Sequence, residues 1–452
     1  MSVTTDDAAH TLARLEAMPF GRWHKKLIAV GFIGVFFDAA DFVMFGSALP
    51  VIAKEFGLNP QEAGLLATVG LAGAFVGALF WGTISDYIGR KTAFQATIVI
   101  FAAFTGLTAV CWNAMTLGIA RFIANFGLGG EVPVTTTLVA EFMPRKIRGL
   151  GTGMVMAAFG CGQVTAALLG LLVVPTLGWK YLFLIGIVPL LLVSVLRRVI
   201  PESVRYLLNK GRTVEAAEIV SRIVIENGAG PGAAPSAPLN EKEAATIAET
   251  AKFTLGELFR PDLRRRTILL WIVSIGLLWA GNGMIFMLPL ILTQRGMSIG
   301  SALTFSFIQA MAGAVGYMSI TYMMDLFGRR LVLPLFLILG VVFDLWFAYS
   351  SGPTMYVAIA AVGFCNPGVF GGCITYSAEL YPTAVRATGV GWFFGIGRVG
   401  SFLVPLVLGT MMVSGYGMYV MHTFALSYFI AGIAIMAIAI ETRGRALDTI
   451  AV

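Results

Sequence analysis

Charged residues are scarce in this chain. They make up 12% of the 452 residues, about half of their share in ordinary soluble domains, whereas hydrophobic residues make up 58%. Histidine occurs three times and cysteine four times, without the spacing of a metal site. No Ser/His/Asp set and no phosphate-binding loop joined to a strand can be recognised. We therefore expect neither an enzyme nor a metal or cofactor site.

Long apolar segments recur along the chain. A membrane-spanning helix needs about 20 mostly apolar residues, and six such segments lie between residues 27 and 199 and six more between 267 and 440. The sequence therefore predicts an all-α membrane protein of twelve transmembrane helices in two six-helix bundles. The predicted parts are an N-terminal tail (1–26), a first bundle (27–199), a linker (200–262), a second bundle (263–441) and a C-terminal tail (442–452).

Basic residues concentrate in the loops on one side of this predicted bundle. The loops on the other side contain only Lys54, Lys180 and Arg295. Because basic loops stay in the cytoplasm, we expect both termini to be cytoplasmic. The net charge of +7 then reflects membrane topology, so we expect a lipid bilayer and no nucleic acid as partner. The opposite loops are short and lack a glycosylation sequon, which favours a bacterial inner membrane.

Two loop motifs repeat at one common offset. An acid followed by glycine and two basic residues begins at Asp86 and again at Asp325, and 325 − 86 = 239. The motif E-x-x-P-x-x-x-R begins at Glu141 and again at Glu379, and 379 − 141 = 238. Two unrelated motifs with the same offset indicate that the bundles are copies of each other in parallel orientation.

The charged residues of these motifs are candidates for a cytoplasmic gate. They either pair across the two halves as a latch or only hold the loop geometry. The candidate gate residues are Asp86, Arg90, Glu141, Arg148, Asp325, Arg329, Glu379 and Arg386.

Ionisable residues inside predicted spans are rare and are functional candidates because their insertion into a membrane is costly. Asp38, Asp41 and Phe45 lie on one face of the first span. Arg121 in the fourth span is a candidate partner of Asp41. The alternatives for Asp41 are proton coupling, a permanent ion pair and direct substrate contact. We predict proton coupling by Asp38, Asp41, Arg121 and Glu131.

Arg398 in the eleventh span has no acid nearby in sequence. A guanidinium beside a cavity grips a carboxylate with two hydrogen bonds, so we expect it to bind an anionic substrate; pairing with a distant acid is the alternative. The other predicted substrate-contacting residues are aromatic or amide side chains, although such aromatic residues also serve packing. They are Trp279, Asn282, Phe286, Gln309, Asn366, Tyr376 and Phe45.

Several segments resemble known transporters over essentially the whole chain. GTISDYIGRK (82–91), its copy at Asp325 and the two E-x-x-P-x-x-x-R motifs resemble the major facilitator superfamily. FFDAADFVMFGSALP (36–50), GLGGEVPV (127–134) and GRVGSFLVP (397–405) look like bacterial metabolite:proton symporters. They are most similar to niacin transporters related to synaptic vesicle glycoprotein 2.

The resemblance also bears on the substrate. The segment around Arg398 is similar to organic anion transporters, in which an arginine at this position is associated with anionic substrates. PESVRYL (201–207) resembles the sugar-porter signature, but Val204 replaces the usual proline, which weakens a sugar interpretation.

Together these features predict a monomeric transporter that imports a small aromatic carboxylate, most of all nicotinate, with protons by alternating access. The alternatives are another aromatic acid such as a hydroxybenzoate, a sugar, or a non-transporting sensor on the same scaffold.

Overall fold

Long helices make up most of the chain. The computed structural model describes residues 11–12, 14–15, 18–144, 147–191, 200–227, 255–382, 385–438 and 440–443, and no strand occurs among them. The first half contains α1 (Arg22–Glu55), α2 (Pro60–Ile88), α3 (Arg90–Thr108), α4 (Ala114–Phe142), α5 (Arg148–Val173) and α6 (Trp179–Ile185). The second half contains α7 (Pro261–Gln294), α8 (Ile299–Phe327), α9 (Arg329–Tyr349), α10 (Thr354–Leu380), α11 (Arg386–Val413) and α12 (Val420–Ile438).

Between the halves, the linker forms two short helices, Val204–Asn209 and Thr213–Glu226. The second is amphipathic, and its buried residues pack against the first half. The sequence also predicts a short linker helix from Asn240 to Phe253, because Asn240 is a capping-type residue, and this segment lies outside the described residues.

Ten of the twelve helices are long and apolar enough to cross a membrane. The other two are α4, which carries Arg121 and Glu131 inside it, and α6, which is short within the described residues. Several helices begin before the predicted apolar segment: α1 starts at Arg22 rather than at residue 27. Hydropathy marks the apolar part of a helix, whereas backbone hydrogen bonding continues beyond it.

Side-chain caps start three helices at one end of the bundle. Asn59 accepts a hydrogen bond from the backbone N–H of Glu62 at 2.9 Å, and the Glu62 carboxylate accepts one in return at 2.8 Å. Asn113 and Ser298 cap α4 and α8 in the same way. Each cap satisfies a backbone donor that the first turn leaves unpaired.

The packing follows the internal repeat. In the first half α1 packs on α5 and α2 on α4, and in the second half α7 packs on α11 and α8 on α10. The halves meet where α1 contacts α7, α2 contacts α11 and α5 contacts α8. The helix α8 is the counterpart of α2, and α11 is the counterpart of α5. The α2–α11 and α5–α8 contacts are therefore equivalent, as expected for two copies of one six-helix unit.

Glycines allow α2 and α11 to approach closely. A Cβ atom on Gly64 would overlap with the backbone oxygen of Pro405, and one on Gly409 would overlap with that of Pro60. Both sites lie away from the side where α1 begins and α12 ends, which is called the terminal side below. The halves are therefore sealed against each other on the side opposite to the chain termini.

The same two helix faces separate toward the terminal side. Phe75 of α2 packs against Phe402 of α11. Gly82 lies two turns from Phe75 on the same face of α2, and Gly391 and Gly395 continue the contacting face of α11. A Cβ atom on any of these three would find no neighbouring atom within 4 Å. The gap between the halves therefore opens toward the terminal side.

Candidate functional site

A cavity lies between the halves in the middle of the bundle. It contains about 500 Å³ of empty space and is lined by residues of α1, α5, α7, α8 and α10. This space includes open solvent, and the cavity volume proper is about 50 Å³. Its polar lining residues are Ser47, Gln163, Ser306, Gln309 and Asn366. Both halves thus present neutral hydrogen-bonding groups to one space.

Two of these lining residues, Gln309 and Asn366, were predicted from the sequence, and the structure places them together. Gln163, Ser47 and Ser306 were missed. A polar side chain within an apolar span was the available signal, but it does not tell which face of the helix looks inward.

A buried ion pair lies beside the cavity within the first half. The Arg121 guanidinium contacts both carboxylate oxygens of Asp41, with 3.0 Å from Nη1 to Oδ1 and a shorter contact from Nη2 to Oδ2. Both side chains are 1% exposed. Thr105 donates a further hydrogen bond to Oδ1 at 3.3 Å. The predicted pairing is therefore present, and both oxygens of Asp41 are occupied.

Aromatic rings enclose the cation of this pair. The Arg121 guanidinium carbon lies 4.9 Å from the ring centre of Phe45 and 5.3 Å from that of Phe183. Phe45 also packs against Phe286 of the second half. The predicted substrate-contacting rings Phe45 and Phe286 thus join the ion pair to the interface between the halves.

Two further acids are buried in the first half. Asp38 is 4% exposed and Glu131 is 1% exposed. Neither carboxylate oxygen of Glu131 has a hydrogen-bond partner among the described residues. Gly34 leaves room for Glu131, because a Cβ atom there would overlap with Oε1. Glu131 is thus a buried acid without a countercharge in contact.

Arg398 reaches from the second half to the first. Its Nη1 donates a hydrogen bond to the backbone oxygen of Ala74 in α2 at 3.1 Å. No acid among the described residues forms an ion pair with it within 4.0 Å, although Asp38 is near enough to attract it. Arg398 is not one of the residues that line the cavity. It therefore has a neutral oxygen as partner and an acid at longer range.

Trp279 is placed differently from the expectation. Its Nε1 lies 3.3 Å from the hydroxyl oxygen of Thr423 in α12. Gly281, two residues away, lines the cavity, and two residues correspond to a rotation of about 200° around a helix. The structure therefore turns Trp279 away from the cavity.

Tyr376 and Asn282 also have protein partners. The Tyr376 hydroxyl donates to the backbone oxygen of Ile440 at 2.7 Å near the terminal side, ten residues and thus about 15 Å along the helix from Asn366. Tyr376 is therefore outside the cavity as well. Asn282 donates to Ser401 of α11 at 2.5 Å, one turn from Arg398.

The candidate gate residues form ion pairs within each half. Arg90 lies 3.7 Å from Glu141 in the first half. In the second half Arg329 contacts Glu379 at 2.9 and 3.1 Å, and it also contacts Asp325 at 3.0 Å. These pairs join the ends of neighbouring helices within the same half.

The remaining gate residues are only partly described. Arg386 donates to the backbone oxygen of Tyr381 at 3.3 Å. The side chains of Asp86 and Arg148 lie outside the described part of the chain. A latch across the halves stays a prediction.

A third repeated motif was missed in the sequence. Glu202 accepts a hydrogen bond from the backbone N–H of Lys91 at 3.1 Å, and Ser203 donates to Glu141. In the second half Glu441 accepts from Arg329 N–H at 3.1 Å, and Thr442 donates to Glu379 at 2.5 Å. The offset is the familiar one, since 441 − 202 = 239 and 442 − 203 = 239. An acid followed by a hydroxyl residue, repeated at that offset, was the sequence signal for these two sets of hydrogen bonds, each of which is called a clamp.

Comparisons with known proteins agree with this architecture. Residues 29–452 match the family described as sugar (and other) transporter. The chain is 32% identical over 443 residues to the niacin transporter NiaP of Acinetobacter baylyi, covering 97% of this chain and 99% of the relative. It is 29% identical to the 4-hydroxybenzoate transporter PcaK of the same organism, covering 97% and 94%.

Among solved structures, the inward open conformation of the xylose transporter XylE from E. coli is similar. The TM-score is 0.76 at 17% identity, covering 94% of this chain and 99% of that one. A likeness at this identity shows the fold alone, and that fold is the twelve-helix arrangement predicted from the repeats. The predicted fold is confirmed, and so is the expectation of a transporter rather than an enzyme.

Proposed function

Because the chain belongs to the sugar (and other) transporter family of the major facilitator superfamily, we propose that it imports a small aromatic carboxylate, most of all nicotinate, together with protons. The single observation that carries the choice of an anion is Arg398. This guanidinium lies between the halves with a neutral backbone oxygen as its hydrogen-bond partner.

A carboxylate is a stronger acceptor than a backbone oxygen and takes two parallel hydrogen bonds from a guanidinium. A substrate carboxylate that enters the gap between the halves therefore displaces Ala74 as the partner of Arg398. The ring of the substrate then extends toward the cavity, where Gln309 and Asn366 offer donors and acceptors to a ring nitrogen or hydroxyl.

Proton coupling fits Glu131 better than Asp41. Both oxygens of Asp41 contact the Arg121 guanidinium, so a proton that binds Asp41 has to break a buried ion pair. Glu131 is buried without a hydrogen-bond partner among the described residues, and burial of an unpaired charge is costly. We therefore assign the transported proton to Glu131. In this proposal Asp38 couples Glu131 electrostatically to Arg398.

The energetics follow from the charges. One proton carried with one monoanion moves no net charge, so the pH gradient alone drives import at about 1.4 kcal/mol per pH unit. In this proposal the terminal side faces the cytoplasm of a bacterium and the described state is open to it.

The niacin relative supports nicotinate. A second candidate is a hydroxybenzoate, which the 4-hydroxybenzoate transporter relative favours. Uptake of labelled nicotinate into proteoliposomes, with unlabelled nicotinate, 4-hydroxybenzoate, xylose and the neutral amide nicotinamide as competitors, separates these substrates. We expect the carboxylates to compete and nicotinamide and xylose not to compete. Accumulation above the external concentration also separates a transporter from a sensor.

Arg398→Gln tests the anion site. Its matched control is Arg295→Gln, which removes an exposed charge at the end of α7. We expect nicotinate uptake to be lost in the first variant and kept in the second, with both proteins eluting as monodisperse species. Normal nicotinate uptake by a folded Arg398→Gln protein would show that the guanidinium does not bind the substrate.

A further inference from the structure

A second, polar pocket lies on the terminal side of the first half, away from the central cavity. Its volume is about 180 Å³. Its walls come from the start of α1, the start of α3, residues 200–201 of the linker and the linker helix Thr213–Glu226. Four segments thus line one space, and Trp23, which is 4% exposed, forms part of its wall.

The charged residues of this pocket are mostly cations. Lys26, Lys91 and Arg222 line it together with one acid, Glu226. Lys26 is paired with Glu226 at 2.5 Å. The side chains of Lys91 and Arg222 have no ion pair or hydrogen bond with any residue that the structure describes. The formal charge of the lining is therefore 3 − 1 = +2.

Lys91 and Arg222 are two cations without an ion pair beside one pocket, and the Glu202 carboxylate on the backbone N–H of Lys91 offsets at most one of them. The pocket therefore favours an anionic ligand. A phosphate monoester carries about −1.5 to −2 at pH 7 and offers three strong acceptor oxygens. A guanidinium and an ammonium are the side chains that bind phosphate most often. Basic pockets on the cytoplasmic side of membrane proteins also bind phospholipid headgroups. A monocarboxylate would leave one of the two cations unpaired.

We infer that this pocket is a phosphate-binding site, separate from the transport site, in which Lys91 and Arg222 hold the phosphate and Lys26 and Glu226 fix the linker helix against α1. The ligand is either a phospholipid headgroup or a soluble phosphate compound. Binding ties the linker to the ends of α1 and α3, so an occupied pocket stabilises the first half.

The experiment uses the purified full-length protein and two probes. Inorganic phosphate is titrated by equilibrium dialysis in detergent with an uncharged headgroup. Cardiolipin is added to the same protein and its retention is measured by native mass spectrometry. Arg222→Gln and Lys91→Gln are compared with Arg212→Gln, which removes an exposed charge at the start of the same linker helix but outside the pocket.

We expect Arg222→Gln and Lys91→Gln each to weaken binding of the effective probe about tenfold, the loss of one hydrogen bond to a charged group. Arg212→Gln should bind as the wild type does. Binding of phosphate alone identifies a soluble ligand, and binding of cardiolipin alone identifies a lipid. Arg222 is exposed on a surface helix, so its replacement leaves the fold intact. If the wild type binds neither probe, or if either pocket variant binds as tightly as the wild type, the inference is wrong.

Discussion

Replacing Asp41 by asparagine removes the carboxylate that neutralises Arg121. The guanidinium is 1% exposed and lies against Phe45 and Phe183, so water cannot take the place of the lost partner without rearrangement. An asparagine offers one neutral oxygen where two charged oxygens had been. We expect the first half to be strongly destabilised.

The magnitude follows from the geometry. Breaking a buried ion pair by removing one partner costs about 3–5 kcal/mol, a large part of the roughly 5–15 kcal/mol that stabilises a folded domain. For a unit of this size each kcal/mol shifts the midpoint of thermal unfolding by about 2–4 °C. Asp41→Asn should therefore lower that midpoint by about 6–20 °C. Thr105→Val, which removes only the 3.3 Å hydrogen bond to Asp41, should cost about 1 kcal/mol.

The assay is a double-mutant cycle. Thermal unfolding is measured for the wild type, Asp41→Asn, Arg121→Gln and the variant with both changes. Because the double variant has no unpaired charge, it should be more stable than the sum of the single losses predicts, with a coupling of about 3 kcal/mol. Nicotinate uptake of any variant that remains folded should keep its pH dependence, because Asp41 is permanently paired.

Two results would refute this reasoning. A midpoint of Asp41→Asn within about 2 °C of the wild type would mean that Arg121 is not dependent on this partner. Additive losses in the double variant, or pH-independent uptake in Asp41→Asn, would mean that Asp41 carries the transported proton instead of holding a static pair.

The remaining predictions concern other parts of the chain. Glu131→Gln should change the free energy of unfolding by no more than about 1 kcal/mol, since it replaces an unpaired buried acid by a neutral isostere. Nicotinate uptake by this variant should lose its pH dependence. A wild-type pH profile of uptake contradicts the assignment of Glu131. Gly64→Ala should destabilise the closed contact between α2 and α11 by about 1–3 kcal/mol. A cysteine placed at Ser306 should then be labelled faster by a reagent added on the side opposite to the termini. An unchanged labelling rate argues against a seal at Gly64. Burial of Glu441 opposes its ionisation, but backbone N–H groups outweigh this effect and lower its pKa. Its contribution to stability is therefore present above the usual glutamate pKa of about 4.3 and is lost as pH falls through the lowered value. Glu441→Gln, which no longer titrates, should lose this part of the pH dependence of stability; an acid-unfolding profile identical to that of the wild type speaks against it.

The sequence alone was sufficient for the architecture. A membrane helix is recognised from about 20 consecutive residues, and an internal repeat is recognised from matching residues at one offset, so neither depends on contacts between distant segments. The pairing of Asp41 with Arg121 could be predicted as well, because few charges exist inside the spans and opposite charges there commonly pair.

Only the tertiary structure decided which side chains share a space. Trp279 and Tyr376 look like substrate contacts in the sequence, but α7 turns the first toward α12 and α10 carries the second toward the terminal side. The neutral partner of Arg398 and the side to which the gap opens depend on how the two halves pack. The rotation of a helix about its axis and the tilt between the halves are set by contacts between residues 64 to 324 positions apart. The local sequence of an apolar helix does not indicate which distant residues it contacts.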